Sequence, residues 1–497
     1  MKKILCMLML ALAVVGVLSS CNAQNSLQET TTAITDETTV PSPETTTPEE
    51  TTPEETTVTT PEETTVTTPE ETTVTTPEET TVTTPEETTA TTPEETTPEE
   101  TTTPEETTTP EEPNLTTPGL YNDVNEDGVT CTITDRGMCN ESDIYIGETI
   151  DGYKITAIAP YAFQHYNKLK SVTISNSVTT IGEYAFAYCY KLENITIGNS
   201  VTTIGNRAFY DCRELKNVHI RDVAAWCNIV YEDTTSNPFF YARHLYFVEN
   251  ETSTLITDLV IPDSVTTIGK YAFLYCSDIT SVTIPNSVTT IGDRAFEYCT
   301  ALTSVTIPNS VTTLGEYAFH YCSSLTSVTI SNSITTICED TFDDCTSLTS
   351  VTLPDSLTTI GDDAFFYCVN LTDVTIPDSL ITIGDRAFYS CKGLTSITIP
   401  DSVTTIGKSA FLLCTGLTSV TIGKSVTFIG NFAFDICENL TSVIFVEPNG
   451  WWSAYMENAT SGTGFSAAVL SDPATAALYL KSSAYYGNHY WHRTEQE

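Results

Sequence analysis

The sequence predicts a β-rich solenoid of stacked coils, capped at both ends and preceded by a disordered stalk. Three observations support this fold class: a 23-residue string recurs in eleven copies, each copy alternates apolar and polar residues, and a Thr/Pro/Glu-rich tract precedes them. A fixed period of about 20–29 residues is typical of leucine-rich-repeat geometry, in which each repeat forms one coil. One coil cannot bury its own apolar side chains, so we expect the copies to stack on one another.

One apolar position sets the register of the eleven copies. It is isoleucine in ten copies and leucine in one, at steps of 23 residues except between Ile204 and Ile268. The longer step holds an irregular insertion at about 221–258. The position is filled by Ile158, Ile181, Ile204, Ile268, Ile291, Leu314, Ile337, Ile360, Ile383, Ile406 and Ile429.

Within a copy, the motif L-x-x-V-x-I predicts one short strand. In the copy from Leu302, Val305 and Ile307 alternate with Thr306, so the apolar side chains face inward and the threonine faces outward. Strands of neighbouring copies are expected to pair in parallel, about 4.8 Å apart. Residues 161–445 form the predicted solenoid, residues 114–160 the N-terminal cap and residues 446–497 the C-terminal cap.

The string "SVTIPNSVTTIGDRAFEYC", which begins at Ser281, resembles the repeat of BspA-type leucine-rich-repeat proteins from bacteria. The similarity covers about residues 169–445 and extends to the insertion and to the C-terminal tail. It implies a surface-exposed binding or adhesion protein with no catalytic residues to carry over. The departures are few: Ser331 and Gly423 replace a usual proline, Cys338 replaces a glycine, and Tyr166 replaces the first cysteine.

Nearly every copy carries one cysteine at the same position. A disulfide ladder is geometrically allowed at a spacing of about 4.8 Å, whereas a zinc ladder lacks the C-x-x-C or histidine partners it needs. The alternative that we favour is a column of small buried thiols that donate to the backbone. The column comprises Cys189, Cys212, Cys276, Cys299, Cys322, Cys345, Cys368, Cys391, Cys414 and Cys437.

The N-terminus predicts export and lipid anchoring. Residues 1–20 combine two lysines, an apolar run and small residues, the pattern of a signal peptide. The following "LSSC" resembles a lipobox, which implies that Cys21 carries lipid and holds the protein at the bacterial cell surface. An ordinary signal peptide followed by an incidental cysteine is the alternative.

Residues 21–113 predict a disordered Thr/Pro/Glu-rich stalk. The segment repeats "TTPEETTV" and holds almost no large apolar residue, so it cannot offset the entropy of ordering. Whether its threonines are glycosylated is left open. The rest of the exported chain contains 41 acidic and 18 basic residues. Such a charge repels phosphate backbones and argues against a nucleic-acid partner.

The predicted N-terminal cap raises two further questions. A hairpin is expected around Asp127-Gly128, and this turn resembles the start of a calcium loop, although Thr134 stands where the last acidic ligand belongs. We therefore predict no metal there. Cys131 and Cys139 lie outside the column in an exported protein, and a disulfide between them is one of two open alternatives.

No catalytic motif is found. The six histidines are scattered, and neither G-x-S-x-G, H-E-x-x-H nor a phosphate-binding glycine loop occurs. The sequence therefore predicts neither an enzyme nor a cofactor. The insertion contains Cys227, Glu232 and His244, which are residue types that enzymes use for catalysis. We interpret the insertion instead as a joint, in which its aromatic residues connect two distorted coils.

Function is then expected on outward-facing positions. Repeated hydroxyl groups suit several weak contacts with an extracellular protein or glycan. A column of tyrosines precedes the cysteines and is expected to stack. The alternative function is a structural or carbohydrate-binding envelope component that uses Trp451, Trp452, Tyr455, Tyr490 and Trp491. The candidate ligand face comprises Thr283, Thr306, Thr329, Thr352, Thr375, Thr398 and Thr421.

Overall fold

Each coil contributes two short strands, and the strands of successive coils stack in two parallel rows. The computed structural model describes residues 116–482 and 485–494. The predicted signal peptide, Cys21 and the predicted stalk lie outside these residues. Within them, the predicted parallel solenoid with a 23-residue repeat is confirmed, because equivalent residues of neighbouring coils pair in register.

The first row, which we call the face row, contains the L-x-x-V-x-I segments. It has fourteen strands rather than eleven, because three coils lack the isoleucine by which the copies were counted. Its strands are Asp143–Ile146, Ser171–Ile174, Asn194–Ile197, Asn217–Ile220, His244–Glu249, Asp258–Val260, Ser281–Thr283, Ser304–Thr306, Ser327–Thr329, Ser350–Thr352, Asp373–Val374, Ser396–Ile399, Ser419–Ile422 and Ser442–Phe445.

The second row, which we call the isoleucine row, ends at the position that sets the register. Its strands are Tyr153–Ile158, Thr180–Ile181, Thr203–Ile204, Val230–Tyr231, Thr267–Ile268, Thr290–Ile291, Thr313–Leu314, Thr336–Ile337, Thr359–Ile360, Thr382–Ile383, Thr405–Ile406 and Phe428–Ile429. Other strands are Tyr121–Val124, Thr130–Asp135, Thr149–Ile150, Thr252–Leu255, Trp451–Ala454, Thr463–Gly464 and Tyr490–Arg493. Within the described residues, the α-helices are Val223–Cys227, Ala467–Leu470 and Pro473–Lys481, and 3₁₀ turns lie at Thr234–Ser236 and Pro238–Phe240.

A stack of phenylalanine rings runs through the core. Phe296, Phe319 and Phe342 are fully buried, with ring centroids 5.3 and 5.7 Å apart and planes within 6° of parallel. This spacing lies within the range that aromatic pairs prefer. The insertion separates two runs of the stack. They comprise Phe163, Phe186 and Phe209, then Phe273, Phe296, Phe319, Phe342, Phe365, Phe388, Phe411 and Phe434.

The turn around each phenylalanine places two residues in the left-handed backbone region. In one coil these are Tyr317 and Tyr321, with φ of 57° and 58°. Such a conformation costs on the order of 1–2 kcal/mol for a residue with a side chain. It directs both backbone N–H groups to the next coil, where they donate to the carbonyls of Glu339 and Asp343 at 3.1 and 2.8 Å. The inter-coil hydrogen bonds offset the local strain.

The cysteine column is a column of buried free thiols, as we favoured. In nine of its ten members, the Sγ donates to the carbonyl of the phenylalanine one coil earlier, as from Cys322 to Phe296 at 3.3 Å. The acceptor is thus in the phenylalanine turn and not at the start of a strand. Burial raises the pKa of these thiols, to about 12 for Cys189. Tyr166 fills the first position by donating its hydroxyl to Glu141 at 2.7 Å.

The insertion joins the two runs of coils. Trp226 and Phe239 are buried, and the indole nitrogen of Trp226 donates to the carbonyl of Ala272 at 2.6 Å. The amide of Asn237 donates to the carbonyl of Tyr271 at 2.7 Å. These contacts reach the first regular coil after the insertion. They agree with the interpretation that its aromatic residues join two distorted coils.

The N-terminal segment forms the hairpin expected at Asp127-Gly128, with Tyr121–Val124 antiparallel to Thr130–Asp135. Asp127 accepts hydrogen bonds from the side chain and backbone of Thr130, which lowers its pKa. The resemblance to a calcium loop is therefore explained by a capped turn. Cys131 and Cys139 are buried free thiols, so they do not form the disulfide that was one of the two alternatives.

The isoleucine row is interrupted between Thr313–Leu314 and Thr336–Ile337. In neighbouring coils, a glycine follows the isoleucine position and donates to the coil before, as from Gly315 to Ile291 at 2.9 Å. A Cβ atom at Gly315 would lie 2.4 Å from the backbone nitrogen of Asp293. Cys338 occupies the glycine position of the next coil and carries such a Cβ atom. The row opens there because the two coils cannot approach as closely.

We expect Gly315→Ala to destabilise the protein by about 1–3 kcal/mol, because the added methyl group clashes with backbone that cannot rotate away. Cys338→Ala, at the same place in the next coil, is the matched control and should change the free energy of unfolding by less than about 1 kcal/mol. Urea unfolding of both variants measures the difference. Equal losses would show that the glycine position does not control how closely coils approach.

Candidate ligand-binding face

The face row presents alternating buried and exposed side chains, as the sequence predicts. Val305 is buried, whereas its neighbours Ser304 and Thr306 are exposed. Thr306 stands directly opposite Thr329, which in turn stands opposite Thr352. Of the seven threonines of the candidate ligand face, six are exposed and Thr421 is half-buried.

The hydroxyls of these seven threonines have no intramolecular hydrogen bond among the residues that the structure describes. A second set, which we call the staple threonines, differs in this respect. Each staple threonine precedes a face strand by one residue and donates its Oγ1 to a carbonyl one coil earlier, as from Thr326 to Thr303 at 3.0 Å. The staple threonines are Thr280, Thr303, Thr326, Thr349, Thr372, Thr418 and Thr441.

Sequence reasoning did not separate these two sets, since both are threonines at a 23-residue period. The separating signal is the position relative to the strand. A residue within the strand points its side chain away from the sheet, whereas the residue before the strand lies beside the carbonyl of the neighbouring coil. The first set therefore leaves its hydroxyl groups without a partner among the described residues, and the second set holds coils together.

The face row is interrupted at the insertion, between His244–Glu249 and Asp258–Val260, and once among the regular coils that follow it, between Asp373–Val374 and Ser396–Ile399, which are not paired with each other. The gap forms a cavity of about 460 Å³, which we call the strand cleft. Three members of the candidate ligand face line it. Its lining comprises Asp373, Val374, Thr375, Ile376, Asp378, Ser396, Ile397, Thr398, Ile399, Pro400, Asp401, Thr421, Gly423 and Val446.

The predicted tyrosine column stacks along the coils. The rings of Tyr275, Tyr298 and Tyr321 lie 4.5 and 4.6 Å apart and within about 20° of parallel. Burial raises the pKa of Tyr298 and of Tyr321 to about 12. The tyrosines pack mainly against one another, which supports a structural role for this column.

A charged cluster that sequence reasoning missed links three coils. The Nδ1 of His320 lies 3.0 Å from Glu297, and its Nε2 lies 3.1 Å from Asp343. Burial alone would lower the pKa of His320, but the hydrogen bonds to Asp343 and Glu297 outweigh it and raise the pKa to about 9. Ligand atoms of His320, Asp343 and Asp344 lie within 4.8 Å of one another, an arrangement that suits a metal ion. Because both ring nitrogens already face carboxylates, the protonated imidazolium donates to both of them, and we assign the cluster to pairing between coils.

The five C-terminal aromatic residues of the alternative function do not share one surface. Trp451 and Trp491 are buried against Phe445 and cover the end of the core. Tyr455 is 75% exposed. The indole of Trp452 is half-buried and stacks on His492 at 4.4 Å.

A broad hollow of about 770 Å³ lies beside this last stack. It is lined by Thr405, Phe428, Glu457, Asn458, Ala459 and His492. Two aromatic rings next to a carboxylate and an amide can contact both the apolar and the hydroxyl-bearing parts of a sugar.

Cys227, Glu232 and His244 each have separate partners. Cys227 is buried, which raises its pKa to about 12. Glu232 accepts from the backbone nitrogen of Asn206 at 2.7 Å, and His244 lies 2.5 Å from Asp278. These contacts do not prepare the thiol for nucleophilic attack, since a thiolate is favoured by a lowered pKa.

The stacked coils define the class of the protein. No helix within residues 116–482 and 485–494 has the length and apolarity needed to cross a membrane. The parallel rows, the 23-residue register and the strand motif are those of a leucine-rich-repeat solenoid.

The chain belongs to the BspA-type leucine-rich-repeat family. The model of the BspA type leucine rich repeat region matches residues 144–236, 250–371 and 358–451, in six copies. Proteins of this family are typically found on bacterial surfaces and serve as binding scaffolds. No curated protein sequence matches the chain.

Three solved structures illustrate the similarity. A leucine-rich cell surface protein from Faecalibacterium prausnitzii is 27% identical, over 66% of this chain and 93% of that one, with a TM-score of 0.42. A leucine-rich-repeat protein from Bacteroides ovatus is 25% identical over 65% and 92%, with a TM-score of 0.35. The pneumococcal vaccine antigen PcpA is 19% identical over 66% and 86%, with a TM-score of 0.38.

The two threonine sets lead to opposite expectations for stability. In the triple variant Thr303→Val, Thr326→Val and Thr349→Val, the free energy of unfolding should fall by about 0.5–1.5 kcal/mol per site, because each change removes a hydrogen bond between coils. The matched variant with valine at the three face positions of the same coils should change stability by less than about 0.5 kcal/mol per site. Those face positions are Thr306, Thr329 and Thr352.

Thermal unfolding of the two triple variants measures this difference, since valine keeps the β-branched shape in both cases. Comparable losses in the two variants would contradict the division of the threonines into a structural set and a free set.

Proposed function

We propose that this chain is a lipid-anchored adhesion or binding protein, which presents its candidate ligand face to extracellular proteins or glycans. The observation that carries the proposal is the row of free threonine hydroxyls, exposed at a 23-residue register. Six of the seven are exposed, and none of the seven donates to another described residue. Membership of a family of bacterial surface proteins supports the same conclusion.

Binding by such a face is distributed over many coils. Each coil offers nearly the same small, uncharged group, so one contact contributes little. Several contacts with one extended partner add up through a high effective concentration. The buried Trp226 and Phe239 of the insertion, by contrast, are not available to a ligand.

Anchoring is proposed to occur through Cys21, with residues 21–113 as a spacer between the membrane and the coils. The support is the order of segments in the sequence: a signal peptide, a lipobox-like "LSSC" and then a long Thr/Pro/Glu-rich tract. Acyl chains bind a membrane by burying methylene groups, each worth about 0.8 kcal/mol.

A second candidate function is carbohydrate binding at the C-terminal cap. The observation that favours it is the hollow of about 770 Å³ beside Phe428 and His492, with Glu457 and Asn458 at its border. A glycan array of the full chain and of Glu457→Gln tests it. Loss of glycan binding in this variant, with binding to matrix proteins unchanged, would favour the second function over the first.

Distributed binding predicts a gradual response to the loss of one coil. Deletion of residues 327–349 removes 23 residues and restores the register, since Ser350 then follows Thr326. We expect binding to surfaces coated with extracellular-matrix extract to weaken a few-fold and not to disappear. Surface plasmon resonance measures the change, and circular dichroism verifies that the variant is folded.

The triple face variant with valine at Thr306, Thr329 and Thr352 serves as a second measurement, because it keeps every coil. It should weaken binding by a similar factor. Full binding by both variants, or complete loss on changing one exposed residue outside the face, would contradict distributed binding.

Cys21→Ala should release the protein from the membrane fraction of the cells that produce it, because it removes the proposed lipid attachment point. Cys6→Ala, in the predicted signal peptide, is the control and should leave the protein membrane-bound. Cell fractionation followed by immunoblotting measures both. Wild-type protein found in the soluble fraction without detergent would contradict lipid anchoring.

A further inference from the structure

We propose that the strand cleft between Asp373–Val374 and Ser396–Ile399 binds an extended segment of a protein partner that carries a lysine or arginine side chain. This inference rests on the proposed binding function of the face row and assigns one specific site within it. The site is defined by unpaired strands and by carboxylates without a cation. At this site both features border one cavity of about 460 Å³.

The opening of the face row is local. The N–H group and the Oγ1 of each staple threonine donate to the coil before, as at Thr372 and at Thr418. Thr395 occupies the same position in its coil, yet neither of its groups makes this contact among the described residues. The isoleucine row stays closed at the same coils, where Thr382 pairs with Thr359 and with Thr405. The two coils are therefore held together on one side and separated on the other.

Sequence departures coincide with the opening. Asp373 stands opposite Ser350, in a position that is serine in most coils. In the turn that follows each strand, Asp378 and Asp401 replace the asparagine found in the three coils from Asn286 to Asn332. Asp355 occupies the same turn position one coil earlier, where the row is closed, so the coil that opens differs from it by Asp373 at the start of the strand.

The charge of the cleft is not balanced by the protein itself. Asp373 and Asp378 are exposed, and neither forms an ion pair within the described part of the chain. Asp401 differs from them, because it pairs with Lys424 at 2.9 Å. Two carboxylates at the mouth of a cavity of about 460 Å³ complement an ammonium or guanidinium group.

The backbone of the cleft favours a polypeptide as the occupant. The strand residues on either side lack each other as hydrogen-bonding partners, and strand groups without a partner are a template for an added chain. An extended peptide supplies backbone donors and acceptors in the same spacing, while its side chains alternate between the cleft and solvent. A glycan would form hydrogen bonds with the threonine hydroxyls of the cleft, but it would supply no cation to pair with the two carboxylates.

The chain also contains a position-matched control. Asp258 and Asp263 lie five coil lengths before Asp373 and Asp378, at the same two positions of a coil. There the carboxylate is already engaged, since Asp258 stands opposite Ser281 in the sheet and accepts its hydroxyl at 2.6 Å. Neutralising either pair removes the same charge from the protein.

The test uses the full chain and a fluorescently labelled peptide of four Thr-Lys repeats, with Thr-Gln and Thr-Glu peptides for comparison. We expect the double variant Asp373→Asn with Asp378→Asn to bind the Thr-Lys peptide at least about tenfold more weakly at physiological salt. The control double variant, Asp258→Asn with Asp263→Asn, should bind this peptide less than about twofold more weakly. Fluorescence anisotropy measures affinity. Hydrogen exchange with bound peptide should show protection at residues 373–376 and 396–399.

Equal weakening by the two double variants would overturn the inference, because it would show attraction to the acidic chain as a whole. Equal binding of the Thr-Gln peptide, or protection confined to other coils, would overturn it as well. The proposed function is separable: if the cleft variant binds the Thr-Lys peptide normally while the 23-residue deletion still weakens binding to matrix, the function stands and the cleft site falls.

Discussion

The structure depends on the contact between equivalent backbone groups of neighbouring coils. Parallel strands repeat at about 4.8 Å, and a coil can be placed at this distance only if every position of its path tolerates a copy of itself. Glycine after the isoleucine position meets this requirement, because a Cβ atom at Gly315 would lie 2.4 Å from backbone. The phenylalanine stack and the thiol donors meet it with side chains that fit against their own copies.

This constraint explains why the repeat is so constant and why constancy is a poor guide to function. Phenylalanine and the staple threonines recur because each contacts its own equivalent one coil away, and cysteine recurs because each thiol donates to a phenylalanine carbonyl of the previous coil. The threonines of the candidate ligand face recur without such a contact. Their repetition is consistent with strand propensity alone, and only their free hydroxyls distinguish them as surface groups.

The fold could be predicted from the sequence because period and alternation report directly on stacking. The inward orientation of Val305, the buried thiols and the role of Tyr166 all followed from the same pattern. The cap and insertion were harder, since Trp451 and Trp226 occur once and have no period. The charged cluster at His320 was missed because its partners come from different coils, although the four acids of "CEDTFDDC" marked the region as unusual. The strand cleft was not predicted because it lies where two neighbouring strands do not pair, and no pattern of residues in the sequence indicates that.

A repeating surface can recognise a partner specifically only at positions where the regular repeat is interrupted. A ligand that meets identical coils has no reason to prefer one register, since a shift by one coil restores almost every contact. Beyond the insertion, each row is interrupted once, and these two interruptions differ in this respect. The one at Cys338 is caused by a side chain that the stack cannot accommodate, and it leaves the face row closed. The one at Asp373 opens the face row itself and places carboxylates beside it, so a partner can be held in a single register there while the remaining coils add affinity.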